Sequence, residues 1–175
     1  HIVIQPNSFQ IDDNYITNLK NQFKEISISK SYFGEGIVIG DNSAKGVILK
    51  GVNKDEKKII EFFENFISSG KYENFETNKV FIGSEMAFNL NLKVGDNLNL
   101  MSSAFISTPL GSLPKQENFK VAGVFNTGFL EFDQNMIYIN IDDALALFDK
   151  ESKDLNIELY INDPLKACLL YTSPS

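Results

Sequence analysis

Residues 97–114 form eighteen consecutive positions without a charge, in a chain where 22% of residues are Asp, Glu, Lys or Arg. They include Leu98, Leu100, Met101, Ala104, Phe105, Ile106, Leu110 and Leu113, but also Pro109, Gly111, Pro114 and several Ser, Thr and Asn. A lipid span must satisfy its backbone groups internally, and the prolines and scattered polar side chains here defeat that. The stretch reads instead as a strand over 97–102, a long loop punctuated by Pro and Gly, and a strand over 119–125. The aliphatic residues of the loop keep neither the strand nor the helix period, so they are hard to assign to a core. A long hairpin loop that exposes them is a candidate docking arm.

The 175 residues carry a net charge of −7, which opposes binding to nucleic acid or to an anionic membrane surface. All sixteen cations are Lys, so the guanidinium fork best suited to bidentate capture of carboxylate, phosphate or guanine is missing. The Lys-, Asn-, Ile- and Phe-rich composition also fits an AT-rich genome. His1 is the only histidine and Cys168 the only cysteine, which leaves no material for a His-based acid/base pair, a zinc site or an internal disulfide. No phosphate-cradling G-x-x-x-x-G-K-[ST] loop occurs, and Gly34-x-Gly36 follows no strand-to-helix junction and reads as a bulge or turn. No cofactor is expected.

Glu131 and Asp133, with Asn135 next, could set oxygens on one side of a loop for Ca²⁺. Only one weak half of such a loop is present, and a solvated turn is preferred. Asp12-Asp13 and Asp142-Asp143 sit at helix starts, where the macrodipole accounts for them. These patterns argue against an enzyme.

Along the chain, 1–5 is a short β-rich run, and Asp12/Asp13 precede a helical stripe of Ile16, Leu19 and Phe23. Two apolar β patches follow around Gly34 and Gly36, then an alternating strand over Ala44–Val52. Asn53 and Glu56 have the spacing of a capping box before a helix bearing Ile59, Phe63, Phe66 and Ile67 that Gly70 ends. That aromatic stripe reads as a core face in preference to a ligand pocket. A strand over 79–82, a helix over 85–92 capped by Ser84, and a turn at Gly95-Asp96 lead into the uncharged stretch. A strand at Ile137 and Ile139 follows a loop over 126–135, Asn140 caps a last helix, and 156–162 is a closing strand. The fold class is α+β, with mixed strands and short helices. The strand–helix–strand–strand opening needs a further strand, which 156–162 can supply, so one lobe is expected from 1–52 plus 153–167 and an inserted lobe from 53–152.

The run Thr108-Pro109-Leu110-Gly111-Ser112-Leu113-Pro114, then Phe119-Lys120-Val121-Ala122-Gly123-Val124-Phe125, then Glu131-Phe132-Asp133, resembles the extracytoplasmic domain of the lipoprotein-releasing ABC transporter permeases, the LolC/LolE/LolF group. Supporting stretches are His1-Ile2-Val3-Ile4, 82–83 through Val94-Gly95-Asp96, and Ile139 to Ala144. The final residues 168–175 resemble translated cloning or sequencing adaptor, and with the opening on His1 the chain reads as part of something longer.

That resemblance implies a two-lobed periplasmic core domain, with a Porter-like split lobe and an inserted Sabre-like lobe that carries a protruding β-hairpin hook at 103–118. It also implies a place at the periplasmic face of the bacterial inner membrane, as part of a multi-pass protein. The hook residues carried over are Phe105, Ile106, Thr108, Pro109, Leu110, Gly111, Leu113, Pro114, Lys115 and Gln116. Their implied partner is a LolA-like lipoprotein chaperone, alongside acylated lipoprotein substrate, a cytoplasmic ATPase subunit and a second permease subunit; no nucleic acid is expected. Some members place arginines where Ser112 and Glu117 stand here, which leaves Lys115 as the cation of the arm. The alternatives are a MacB-type exporter domain that contacts an adaptor protein and a stand-alone binding module.

Overall fold

The computed structural model describes residues 2–4, 17, 26–40 and 43–161. The helical stripe after Asp12/Asp13, apart from the helical Thr17, and the segments 162–167 and 168–175 lie outside the described residues. The chain divides into His1–Ser31 with Glu151–Ser175, and Tyr32–Lys150.

In the first unit β1 (Ile2–Ile4) pairs antiparallel with β9 (Asn156–Ile161), and β9 pairs antiparallel with the first part of β2 (Ile26–Ile39) from Ile26↔Ile161 to Ser31↔Asn156. The closing strand thus finds the neighbours that its alternation requires. Ile157 and Leu159 are buried, and the carboxylate of Glu158 is buried with them. It accepts hydrogen bonds from the Ser31 hydroxyl and, at 2.6 Å, from the Tyr160 hydroxyl, so both of its oxygens find a partner there.

The second unit holds the rest of β2, β3 (Ala44–Val52), α1 (Lys57–Phe66), β4 (Ile67–Gly70), β5 (Lys79–Gly83), α2 (Ser84–Asn89), β6 (Asn97–Thr108), β7 (Gly111–Phe125), α3 (Leu130–Asn135), β8 (Met136–Asn140) and α4 (Ile141–Phe148). Its strands neighbour one another in the order β3-β8-β5-β7-β4, while β6 pairs antiparallel with both β7 and the second part of β2. β3 with β8 and β5 with β7 run parallel, while β2 with β6, β4 with β7, β5 with β8 and β6 with β7 run antiparallel, which makes the sheet mixed. β3 forms a parallel ladder with β8 from Ile48 to Val52 and belongs to the second unit, whose compact limits are Tyr32 and Lys150.

The core of this unit is aromatic. Phe63, buried on α1, lies with its ring centroid 4.8 Å from that of Phe81, 5.2 Å from Tyr138 and 5.9 Å from Phe75. Phe125 stands edge-on to Tyr138 at 5.5 Å, and Val52, Ile59, Ala122 and Met136 complete the cluster. Offset and edge-to-face rings add to the area they bury. The stripe on α1 is a core face, as its spacing predicts. Gly123 is required here, because a Cβ on it would meet the Phe81 ring at 2.1 Å.

Several local expectations are corrected. Helix α1 stops at Phe66, and Ile67 begins β4 by pairing with Phe125. Asn53 accepts from the Asp55 amide at 3.0 Å, a local turn, so the capping box with Glu56 does not form. Gly34 and Gly36 lie within the continuous strand β2. Ser84 does not cap α2 with its side chain, and the helix ends at Asn89. The loop over 126–135 contains the single-turn helix α3. Asn140 does cap α4, since its side chain accepts from the Asp142 amide at 3.0 Å. No helix among the described residues is long and apolar enough to cross a membrane.

Candidate functional site: the β6–β7 hairpin

The expected long loop is strand almost throughout. β6 and β7 pair from Asn97↔Lys120 to Met101↔Gln116, break, and pair again from Phe105↔Pro114 to Thr108↔Gly111. Residues that showed no periodicity form strands because the hairpin satisfies its own backbone and buries neither face at its far end. Near the base, Leu98, Leu100 and Phe119 are buried and Asn97 and Lys120 exposed, the alternation of a half-buried sheet. Beyond the break the four pairs extend roughly 13 Å at about 3.3 Å per residue.

The turn is built by Thr108, Pro109, Leu110 and Gly111. The Thr108 hydroxyl donates to the Gly111 carbonyl at 2.7 Å and accepts from the Leu110 amide at 3.3 Å. Pro109 fixes φ near −65° and so cannot take the positive φ that two-residue hairpin turns favour. Gly111, with φ of 125°, absorbs the twist.

The arm displays its apolar side chains. Leu110 is 100% exposed and Phe105 64%, with Leu113 and Ile106 about half in solvent. Pro109, Gly111 and Gln116 are exposed, whereas Thr108, Pro114 and Lys115 are half-buried. Gln116 accepts from Asn99 Nδ2 at 3.3 Å across the base. Lys115 reaches away from the tip, and its Nζ donates to the Ala146 carbonyl at the end of α4 at 2.5 Å. The exposed tip is uncharged and largely apolar, so it can bind another protein by burying area.

Asp133 is not disposed for metal. It is 2% exposed, and its carboxylate accepts from the Thr127 amide and hydroxyl and the Gly128 amide at 2.8–3.1 Å, while Glu131 is exposed. Its place is structural, closing the turn before α3. Among the described residues no three His, Cys, Asp or Glu side chains gather as a metal site. Burial raises the Asp143 carboxyl above its ordinary range, with the charges of Asp142 and Glu117 adding to it, against a hydrogen bond from the Asn78 amide at 2.7 Å.

Ser102 was not foreseen as a hairpin residue of consequence. It is buried and donates to the Leu147 carbonyl at 2.7 Å. A groove of about 650 Å³ lined by Ile48, Phe129, Leu130, Phe132 and Met136 was also not foreseen, because its residues come from two distant strands and a one-turn helix.

No protein-family model matches the chain. In sequence it is 24% identical over 136 residues to the lipoprotein-releasing system transmembrane protein LolC of Neisseria meningitidis serogroup B, a match covering 76% of this chain and 32% of that protein. LolC of Xylella fastidiosa is 24% identical over 98 residues, covering 55% of this chain and 24% of that protein. The chain spans a quarter to a third of the length of these relatives. Among solved structures, the extracellular domain of the noncanonic ABC-type transporter YknZ from Gram-positive bacteria aligns with a TM-score of 0.58 at 14% identity, over 90% of this chain and 76% of that one. The periplasmic region of MacB from Actinobacillus actinomycetemcomitans aligns with a TM-score of 0.57 at 15% identity, over 97% of this chain and 77% of that one. The chain is thus similar in sequence to LolC permeases and has the α+β fold of the extracytoplasmic domains of MacB- and YknZ-type ABC transporters, as its motifs led one to expect.

Proposed function

We propose that this chain is the extracytoplasmic domain of an ABC transporter permease that releases lipoproteins from the inner membrane and passes them to a periplasmic chaperone. The observation that carries this is the hairpin tip, where Phe105, Ile106, Leu110 and Leu113 stand in solvent on a self-paired arm. Hairpin pairing, Pro109 and the Thr108 turn stiffen the arm before any partner arrives, which lowers the ordering entropy lost on docking. The domain itself is non-catalytic. ATP hydrolysis belongs to a separate cytoplasmic subunit, coupled through the membrane part and a second permease subunit.

The test is Pro109→Asp in the full-length permease, with lipoprotein release and domain melting measured together. Release should fall while Tm stays within about 2 °C, because the exposed turn contributes little to the fold. Normal release, or a large loss of Tm, would count against the hook. A MacB-type exporter domain is the second reading, favoured by the alignment over 97% of the chain. In that case the tip would engage an adaptor protein, and Pro109→Asp would leave lipoprotein release untouched.

A further inference from the structure

The ladder of the hairpin is interrupted at one place. Between Met101↔Gln116 and Phe105↔Pro114, β6 supplies Ser102, Ser103 and Ala104 where β7 supplies only Lys115. A bulge of this kind loses ladder hydrogen bonds and bends the ribbon, so the direction of the outer four pairs is decided here. Pro114, next to the break, has no N–H to restore a bond.

Both strands are tied down at that joint. The Ser102 hydroxyl donates to the Leu147 carbonyl at 2.7 Å and accepts from the Ala104 amide at 3.1 Å, while Lys115 Nζ donates to the Ala146 carbonyl at 2.5 Å. These carbonyls belong to the last turn of α4, which ends at Asp149 in the left-handed conformation and has no basic residue of its own in that turn. The last carbonyls of a helix carry the negative end of its dipole, which makes them natural partners for a hydroxyl and an ammonium; the Ala146 carbonyl accepts from Lys115 alongside a longer bond from the Asp149 amide at 3.3 Å. Helix α4 is in turn fixed by its Asn140 cap and by Ala144, Leu147 and Phe148, all buried.

We infer that Ser102 and Lys115 form a clasp that locks the bulge onto the C-terminal end of α4 and so aims the hairpin tip at its partner. Lys115 is then a positioning residue and not a partner contact, which revises its place among the expected hook residues. This rests on the hairpin being the docking arm.

The experiment separates the two ideas. Spin labels at Ser107→Cys and Lys71→Cys, both exposed sites in the same unit, with Cys168→Ser, report the tip-to-body distance by pulsed electron paramagnetic resonance. The parent should give one narrow distribution. Lys115→Met and Ser102→Ala should each broaden or shift it, and Lys115→Arg should restore it. In the full-length permease, photocrosslinking of the purified lipoprotein chaperone from position 110 should fall several-fold in Lys115→Met and recover in Lys115→Arg. Unchanged distances in both Lys115→Met and Ser102→Ala would overturn the clasp. Absence of crosslinking in the parent would overturn the docking role while the distances still decide the clasp.

Discussion

Leu110 and Phe63 are both large and apolar, yet the structure gives them opposite work. Leu110 is 100% exposed and Phe63 0%. Truncating Phe63 to Ala removes the ring that packs against Phe81, Phe75, Tyr138 and Phe125, and should cost about 3–5 kcal/mol. At about 2–4 °C per kcal/mol for a chain of this size, Tm falls by roughly 6–20 °C. Leu110→Ser removes no packed atom, so stability should change by no more than about 0.5 kcal/mol and Tm by no more than about 2 °C. Binding reverses the ranking. If Leu110 is buried on docking, losing its side chain forfeits about 1.5–3 kcal/mol, a rise in Kd of roughly 10- to 150-fold. Circular dichroism melting of the two variants, with calorimetric titration of the lipoprotein chaperone into parent and Leu110→Ser, reads both quantities. A melting loss in Leu110→Ser comparable to that of Phe63→Ala would mean the leucine is packed. An unchanged Kd would mean that it touches no partner.

Two titrations test the electrostatics of the fold. Burial raises Asp143 above the ordinary Asp range, so between that range and the raised value the folded chain holds more protons than the unfolded one. Stability should therefore fall as pH rises through that window and recover as pH falls, and Asp143→Asn should flatten the slope in urea midpoints; equal slopes would refute the assignment. Tyr72 is pushed up to about 12 by burial, with the charges of Asp55 and Glu56 adding to it, and its hydroxyl donates to the Lys54 carbonyl at 2.5 Å. The unfolded chain thus loses this proton first as pH rises, and stability should decline above the ordinary tyrosine range. Tyr72→Phe should lessen that decline, and an unaltered alkaline limb would contradict it.

How much of this was legible in the sequence follows from which signals survive without tertiary contacts. The alternation of Leu98 with Leu100, the α1 stripe and the Asn140 cap each depend on a few neighbouring residues, and each reappears in the structure. The outer hairpin was misread as loop because periodicity records burial, and strands 105–108 and 111–114 bury no face. Ile67 continued the helical stripe, but pairing with Phe125 drew it into β4. The parallel ladder of β3 with β8 left no local signal, because β8 lies far along the chain. The apolar character of the tip was readable from Ile106, Leu110 and Leu113. The clasp was not, because Lys115 meets Ala146 only after folding, and no spacing encodes that meeting.

The docking arm is tested most directly by placing a photoreactive amino acid at position 110 of the full-length permease in cells, with position 63 as a buried control. The expected result is covalent capture of the lipoprotein chaperone from 110 and none from 63. Capture from neither position would contradict the docking arm, and capture only of an adaptor protein from 110 would contradict the chaperone as its partner.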